Sequence, residues 1–158
     1  MLISENKLKR IITKIINEVL SSEEDKVVYI MRGIPGSGKS TRARELVKPE
    51  NIKNIFSTDD YFMVGGEYRF DPTKLGEYHG NNLQRFKDAV MQGISPIVVD
   101  NTNTQKWEYA KYEEFAKDNG YRVEVVAMPL IPAEVAAQRN THGVPQAGIE
   151  RMISRWEP

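Results

Sequence analysis

The sequence predicts an α/β fold in which a parallel sheet lies between layers of helices. From residue 26 onward, short apolar runs alternate with segments of helical pattern, as they do in chains built from strand–helix–strand units. Each run is almost continuously apolar, which is typical of strands that are covered on both faces. Because the chain has 158 residues, we expect one such domain, preceded by a separate N-terminal segment.

Alternating strands and helices account for the predicted α/β domain at residues 26–158. The strands are predicted at 27–31, 52–57, 96–99 and 123–127, and the helices at 40–47, 72–90, 107–118, 133–138 and 145–156. Asn119 and Gly120 end the third of these helices, and Pro145 suits the first turn of the last one. Since helices separate consecutive strands, we expect the strands to run parallel with helices on both faces.

Residues 1–25 are predicted to form an amphipathic helix followed by a linker. Ser4 can cap the helix, and a polar stretch at 21–25 ends it. The apolar face carries Leu8, Ile11, Ile12, Ile15, Ile16 and Val19, and the other face carries Lys7, Lys9, Arg10 and Lys14. The pattern favours a helix that packs its isoleucines on the following domain. The alternative is a basic arm for a membrane surface, nucleic acid or a partner.

Composition excludes several classes of protein. The chain carries 22 basic and 22 acidic side chains, and its formal net charge of zero argues against coating of nucleic acid by bulk charge. It has no cysteine, which excludes disulfides, thiolate metal sites and cysteine nucleophiles. No apolar run approaches the ~18 residues that a membrane span requires. The sequence also does not open with a basic segment followed by an apolar stretch, which is the pattern of an export signal. We therefore expect a cytoplasmic protein without a membrane partner.

A phosphate-binding loop is predicted between the first strand and the first helix. Residues 33–40 match G-x-x-x-x-G-K-[ST] in full, with a strand before and a helix after, as the motif requires. The glycines let backbone N–H groups converge on phosphate oxygens, Lys39 can reach the β- and γ-phosphates, and the Ser40 hydroxyl can bind Mg²⁺. We expect ATP and Mg²⁺ as ligands, with Ser40 as the metal ligand. The predicted nucleotide-binding residues are Gly33, Ile34, Pro35, Gly36, Ser37, Gly38, Lys39, Ser40 and Thr41.

Acidic side chains follow the next two predicted strands. Asp59 and Asp60 come after the second strand and Asp100 after the third, and ligands of an open parallel sheet bind beyond such strand ends. One aspartate of the pair can accept the proton of an attacking hydroxyl, while its neighbour caps the short helix that follows. Asp59 is favoured as this base. Asp100 can hold a metal-bound water or orient a catalytic group.

Further segments are candidates for contacts with the transferred phosphate and the acceptor. Arg139, in a lid between two short helices, can neutralise charge on the phosphoryl group, whereas His142 beside it is not predicted to be catalytic. The aromatic loop at 63–72, together with Tyr61, and the polar run at 101–104 can contact a substrate, with packing and turn capping as the alternatives. The long helix can line the acceptor cleft with His79, Asn82 and Arg85.

With these motifs in place, the chain resembles the polynucleotide-kinase-like branch of P-loop kinases, which includes phage-type polynucleotide kinases and hydroxymethyluracil-DNA kinases. The likeness runs from about residue 26 onward and rests on residues 33–41, 58–61, 99–103 and 139–145. It implies a three-layer sandwich with a parallel sheet and a small arginine-bearing lid. By this resemblance, Lys39 and Ser40 bind the donor phosphates and Asp59 is the general base. Asp100 then helps to organise the acceptor site, and Arg139 belongs to the lid.

One position departs from the resemblance. Phage-type polynucleotide kinases carry an arginine after their Asp-Asp-Tyr motif that binds the acceptor's phosphate, and this chain has Phe62 there. The sequence predicts an ATP-dependent kinase that acts on a hydroxyl of nucleic acid, with DNA favoured. The acceptor is a 5′-hydroxyl end or the hydroxymethyl group of a modified base such as 5-hydroxymethyluracil. The alternatives are a kinase of nucleosides or other small molecules, and a nucleotide-gated binding module that uses the N-terminal helix.

Overall fold

A computed structural model of the chain describes residues 2–24 and 26–158. In chain order the strands are β1 Val27–Arg32, β2 Ile55–Phe56, β3 Met63–Val64, β4 Glu67–Tyr68, β5 Ile97–Asp100 and β6 Arg122–Ala127. The α-helices are α1 Glu5–Glu24, α2 Lys39–Leu46, α3 Leu75–Met91, α4 Lys106–Asp118, α5 Ala133–Arg139 and α6 Gln146–Ser154. Short 3₁₀ helices lie at Pro49–Asn54, Thr58–Phe62 and Pro72–Lys74.

The main sheet is parallel and has the strand order β2-β5-β1-β6. β1 lies between β5 and β6, and its register pairs Met31 with Asp100 on one side and with Val126 on the other. Because the strands point the same way, their carboxyl ends meet at one end of the sheet. The loop after β1 therefore lies near the acidic residue at the end of β5. It also lies near the acidic residues that follow β2. The predicted parallel sheet is confirmed.

Helices cover both faces of this sheet, and the side chains of β1 alternate between the two faces. Val28 and Ile30 pack with Phe86 of α3 and with side chains of α4 in one buried cluster. Met31 points to the opposite face and packs with Ala43 of α2. A strand can be apolar at every position only when both of its faces are covered, because successive side chains alternate sides. The predicted layer of helices on each face is confirmed.

Two predicted elements differ in extent from those observed. The strand predicted at 52–57 is reduced to β2, because Pro49 begins a 3₁₀ helix that takes up the residues before it. The long helix predicted at 72–90 begins with a 3₁₀ turn, which Asp71 caps by accepting a hydrogen bond from the Thr73 N–H at 2.9 Å. α3 then runs on without interruption through its two glycines.

The segment predicted as an aromatic loop contains a hairpin. β3 and β4 pair antiparallel, and Gly65 and Gly66 between them have φ values of 58° and 83°. Two consecutive left-handed residues make the tight two-residue turn that glycine permits. The chain then returns toward its start, where the Arg69 N–H donates to the Phe62 carbonyl at 2.8 Å. This turn brings Tyr68 back to the residues at the end of β2.

The N-terminal helix forms as predicted, but its predicted packing is wrong. The Lys7 N–H donates to the Ser4 hydroxyl at 3.3 Å, so Ser4 caps α1. The predicted apolar side chains from Leu8 to Val19 are each 40–53% exposed rather than packed on the domain. Periodicity identifies which face of a helix is apolar, but it does not determine whether that face packs on the same chain. No helix within the described ranges is long and apolar enough to cross a membrane.

Candidate active site

The loop at 33–38 connects β1 to α2, and glycine allows its conformation. Gly36 and Gly38 have φ values of 83° and 86°, in the left-handed region that side chains disfavour. A Cβ at Gly36 would also clash with the backbone carbonyl of Ala136 in α5, so a side chain there would push α5 away. Ile34 is fully buried and packs with Ala136, which ties the loop to the pair of helices α5 and α6.

The inner surface of this loop fits an anion. The Ser37 hydroxyl is buried, and it has no hydrogen-bond partner in the part of the chain that the structure describes. Leaving a buried hydroxyl unpaired costs free energy, and a phosphate oxygen would remove that cost. α2 begins at Lys39 directly after the loop, so the unpaired N–H groups of its first turn face the same space. The residues present therefore suit the phosphates of a nucleotide.

Lys39, Ser40 and Asp100 form one hydrogen-bonded group beside the loop. Lys39 Nζ lies 2.6 Å from Asp100 Oδ1, and the Ser40 hydroxyl donates to Asp100 Oδ2 at 2.9 Å. The side chains of Lys39 and Asp100 are only 10% and 7% exposed. A hydroxyl and a carboxylate oxygen at this spacing suit Mg²⁺, which prefers oxygen ligands. The resemblance implies a role for Asp100 at the acceptor site. The pairing of β5 with β1 places Asp100 beside the phosphate loop, and Asp100 also lines a cavity together with Asp59.

Asp59 lies at the start of the 3₁₀ helix after β2, and two side chains from distant segments contact it. The Tyr68 hydroxyl donates to Asp59 Oδ1 at 2.9 Å, and His142 Nδ1 lies 3.4 Å from Asp59 Oδ2. The rings of Tyr68 and His142 stack with centroids 4.0 Å apart. Burial raises the pKa of the Tyr68 hydroxyl, and the negative charge of Asp59 raises it further, so this hydroxyl stays a donor. Asp59 is thus held in place from both sides.

Asp60 points the other way and has a structural partner. Its carboxylate lies 3.1 Å from Arg85 Nη2, and the same nitrogen donates to the Ser57 carbonyl at 3.2 Å. The prediction that the second aspartate caps the following helix is wrong, because the Ser57 hydroxyl accepts the hydrogen bond from the Asp59 N–H at 3.2 Å. A serine one residue before the helix is better placed to cap it than a residue inside its first turn.

Three cavities have Asp59 in their lining, and one of them, of about 470 Å³, lies at Ser40, Arg85 and Asp100. The other two differ in what else lines them. One, of about 340 Å³, is lined by the phosphate loop, Lys39 and the α5–α6 connection. The other, of about 450 Å³, is lined by aromatic and cationic side chains, among them Tyr68, Phe70, Arg151 and Arg155. Asp59 and His142 line both cavities. A carboxylate shared by two cavities can touch a ligand in each of them.

Arg139 is the last residue of α5 and lines the cavity at the phosphate loop. Its guanidinium makes no hydrogen bond or ion pair to any residue in 2–24 or 26–158, so it is available to a ligand. The turn that follows is closed by Asn140, whose side-chain N–H donates to the Val144 carbonyl at 3.0 Å and whose oxygen accepts from the Val144 N–H at 2.9 Å. The predicted arginine-bearing segment is therefore a hydrogen-bonded turn that lies beside the phosphate loop.

The side chains predicted to line an acceptor cleft divide into two groups. His79 lines the larger cavity and is hydrogen-bonded to Thr58 at 2.9 Å. Burial lowers the pKa of His79, although the charges of Glu108 and Asp59 act in the opposite direction. Asn82 is fully buried and donates to the Tyr112 hydroxyl at 3.0 Å, so it is part of the core. Arg85 binds Asp60 and lines the cavity at Ser40 and Asp100 instead of the larger cavity at Tyr68.

The polar run after β5 makes hydrogen bonds within the fold, and two of its residues, Asn101 and Thr102, also line the larger cavity. Asn101 accepts a hydrogen bond from the Thr58 N–H at 3.0 Å, which joins the ends of β5 and β2. Asn103 has φ of 47° and donates to the Met31 carbonyl at 2.8 Å. Its own carbonyl accepts from Arg32 Nε at 2.9 Å. Turn formation, one of the alternatives for this segment, therefore explains Asn103.

Phe62, at the position where the resemblance has an arginine, is almost fully buried. It packs with Tyr68, Phe70 and Tyr78 at ring-centroid distances of 4.8–6.0 Å. A cation at this position would be buried without a partner, so any contact to an acceptor phosphate must come from elsewhere. The cations that line the larger cavity are Arg151 and Arg155 of the C-terminal segment.

Sequence reasoning missed three residues of this site. Tyr68 was treated only as one of several aromatic residues, although Gly65 and Gly66 between two short strand-like runs are a hairpin signal that returns the chain on itself. Arg151 and Arg155 lie four residues apart on the last helical segment, which puts them on one face. That spacing was visible, but the cavity that they line depends on how α6 packs.

Comparison with known proteins places the chain in a family. The model of the AAA domain family matches residues 28–158. Human NEDD4-binding protein 2 is 41% identical over 134 residues, which cover 83% of this chain and 8% of that protein. The 2′,3′-cyclic-nucleotide 3′-phosphodiesterase of Rattus norvegicus is 32% identical over 109 residues, covering 68% of this chain and 25% of the relative. The chain thus spans a quarter or less of the length of these relatives.

The fold also matches that of a solved structure. A chain in the structure of the Pnkp1/Rnl/Hen1 RNA repair complex superposes with a TM-score of 0.63 at 19% sequence identity, covering 82% of this chain and 43% of that one. At this level of identity the match concerns the fold alone. The α/β architecture, with its phosphate loop between β1 and α2, is that of P-loop kinase-like proteins.

Proposed function

Because the chain belongs to the AAA domain family through residues 28–158, we propose that it is an ATP- and Mg²⁺-dependent kinase that phosphorylates a hydroxyl group of nucleic acid, with DNA favoured. The observation that carries the proposal is Asp59, which lines both the cavity at the phosphate loop and the larger cavity beside it. A kinase needs one carboxylate within reach of both the donor phosphate and the acceptor hydroxyl.

The donor side of the proposal rests on the loop and its neighbours. The buried Ser37 hydroxyl, the first turn of α2 and Lys39 would bind the phosphates of ATP, and Arg139 would neutralise charge on the transferred group. Ser40 and Asp100 would hold Mg²⁺, which supplies charge neutralisation and alignment of the phosphates when it is bound. Lys39 would then exchange part of its contact with Asp100 for phosphate oxygens.

The chemistry on the acceptor side is a single displacement. The acceptor oxygen attacks the γ-phosphorus, its proton passes to Asp59, and the bond between the γ-phosphorus and the β–γ bridging oxygen breaks to release ADP. Tyr68 and His142 position the Asp59 carboxylate for this step. They do so without shielding it from the cavity, because Asp59 remains 44% exposed.

The larger cavity favours an acceptor with a base and a phosphate. The stacked rings of Tyr68 and His142, together with Phe70, offer apolar and aromatic surface, and Arg151 and Arg155 offer cations for a phosphodiester. Because Phe62 is buried, these two arginines would supply the acceptor contact that the resemblance assigned to an arginine at its position. A cavity of about 450 Å³ is large enough for one nucleotide.

The test is a transfer assay with labelled ATP and a panel of acceptors. The panel contains 5′-hydroxyl DNA, 5′-hydroxyl RNA, duplex DNA with 5-hydroxymethyluracil, and free nucleosides, each with and without Mg²⁺. We expect label on a polynucleotide, and most on a DNA substrate, only when Mg²⁺ is present. Label on nucleosides alone would indicate a small-molecule kinase. ATP binding without any phosphorylated product would contradict the proposal and favour the nucleotide-gated binding module.

A further inference from the structure

α1 carries an apolar strip that is about half exposed. Its large apolar side chains are each 40–53% exposed, and they are Leu8, Ile11, Ile12, Ile15, Ile16, Val19 and Leu20. They lie along one side of a helix of 20 residues, which is about 30 Å long. Single exposed apolar residues are common on protein surfaces, but a continuous strip of this length marks an interaction surface. The question is which partner fits it.

The charges of α1 change sign halfway along the helix. Residues 5–14 contain four basic side chains and one acidic side chain, whereas residues 15–24 contain three acidic side chains and no basic one. The helix dipole favours the opposite order, with anions at the start and cations at the end. The order of charges along α1 therefore opposes the helix dipole, although Lys9 pairs with Glu5 at 3.0 Å and Lys14 with Glu18 at 4.0 Å within the helix. It suits a partner helix whose charges run in the reverse direction along the same length.

We propose that α1 pairs with α1 of a second copy of this chain, antiparallel, and so joins two copies into a dimer. The apolar strips then face each other, and the basic half of each helix lies beside the acidic half of the other. A parallel pair would put the two basic halves together, which costs free energy. An anionic membrane surface fits less well, because the acidic half of α1 would be repelled by it.

The spacing of the strip gives the register of the pair. Leu8, Ile12, Ile15 and Val19 follow one another at four, three and four residues, which is the seam spacing of a coiled coil. In an antiparallel pair centred between Ile12 and Ile15, Ile12 packs on Ile15 of the second copy and Leu8 packs on Val19. Leu8 and its own equivalent are then about 16 Å apart along the axis, because each residue advances the helix by ~1.5 Å.

The first test measures the oligomeric state of the full chain by sedimentation and light scattering. We expect a dimer in the micromolar range, and a dissociation constant raised about a hundredfold or more by Ile12→Glu with Ile15→Glu, which places four carboxylates in the apolar contact. The matched control, Thr13→Glu with Asn17→Glu, adds the same charges away from the strip and should stay dimeric. Thermal unfolding should be alike in both variants, since neither site belongs to the domain core.

The second test determines the orientation with introduced cysteines, since the natural chain has none. A protein with Leu8→Cys alone should form no disulfide-linked dimer, because Cα atoms must lie within about 7 Å for a disulfide. A mixture of the Leu8→Cys and Val19→Cys proteins should form a linked heterodimer. Rapid linkage of Leu8→Cys to itself would overturn the antiparallel arrangement.

Other outcomes overturn the proposal as a whole. A natural chain that stays monomeric up to about 100 µM would exclude the dimer at concentrations where it could matter. A monomer that sediments with vesicles of phosphatidylserine and phosphatidylcholine would assign the strip to a membrane surface. Equal dimerisation by the natural chain and the Ile12→Glu, Ile15→Glu variant would assign the dimer to another surface. None of these results depends on whether the domain is a kinase.

Discussion

The proposed donor side and the proposed acceptor side of the site are built in different ways. The phosphate loop, Lys39 and Ser40 are consecutive in the chain, and Lys39 is almost fully buried against Asp100. The acceptor side instead brings together residues near positions 59, 68, 79, 142 and 151, and its side chains are more open: Asp59 is 44% and His142 36% exposed. The donor side is therefore determined by a short segment and its strand, whereas the acceptor side depends on packing between several segments.

The difference has a functional consequence. A triphosphate presents the same groups in every reaction, so a fixed and buried loop can bind it. An acceptor must enter and leave, and the open wall around Asp59 leaves room for that. We therefore expect substitutions on the donor side to abolish the reaction with any acceptor. Substitutions on the acceptor side should separate nucleotide binding from transfer and one acceptor from another.

The largest effect is expected for Lys39→Ala. Loss of the ammonium group removes a phosphate contact and leaves the Asp100 carboxylate buried without its ion-pair partner, so transfer should fall about a thousandfold or more with every acceptor. The measurement is initial rate with labelled ATP, together with ATP binding. Lys111→Ala on the exposed side of α4 is the control and should match the natural protein. Activity within a factor of about two of the natural protein would contradict the donor-side assignment.

The next largest effect is expected for Asp59→Asn, and Asp60→Asn is its matched comparison. Asp59→Asn should lower the transfer rate at least about a hundredfold and leave ATP binding unchanged, because the amide cannot accept the proton. Asp60→Asn should keep transfer and lose only the half-exposed ion pair with Arg85, which is worth at most about 1 kcal/mol. Both are measured by single-turnover rates and thermal unfolding. If Asp60→Asn abolished transfer and Asp59→Asn did not, the base would be Asp60 and the assignment of Asp59 would be wrong.

Arg151→Ala tests the acceptor side alone. Removing this cation from the wall of the larger cavity should raise KM for an oligonucleotide about tenfold, with kcat and KM for ATP unchanged, and the effect should shrink at high salt. Lys111→Ala, on the exposed side of α4, is again the control. An equal loss with nucleosides and oligonucleotides would show that Arg151 does not bind a phosphodiester.

The smallest effect concerns pH and His79. Burial lowers the pKa of this side chain in the folded protein below the 6.5 of the free group, so the unfolded chain binds the proton more readily. Its neutral form thus favours folding above pH 6.5, and this contribution is lost as the pH falls below that value. Thermal unfolding between pH 7.5 and 5.5 should show a shallower decline in Tm for His79→Gln than for the natural protein. Parallel curves for the two proteins would mean that His79 titrates alike in both states.

The parallel sheet, the helices on both faces and the position of the phosphate loop could be predicted from the sequence, because each rests on local information. Uninterrupted apolar runs specify buried strands, and the glycines and lysine of the loop are contiguous. The length of β2 could not be predicted, since Pro49 and the residues after it could continue either as strand or as 3₁₀ helix. The hairpin at Gly65 and Gly66 had a visible signal that was not used.

Tertiary structure sets the surroundings of the two aspartates, and these surroundings support Asp59 as the proposed base. Asp59 and Asp60 are adjacent and chemically identical, so only the packing of α3, which brings Arg85 to Asp60, and of the hairpin, which brings Tyr68 to Asp59, distinguishes them. The same holds for α1: periodicity specified its apolar face, but not what that face contacts. Local sequence fixes the conformation of a segment and the chemistry it carries, whereas the neighbours of a side chain depend on residues far away in the chain.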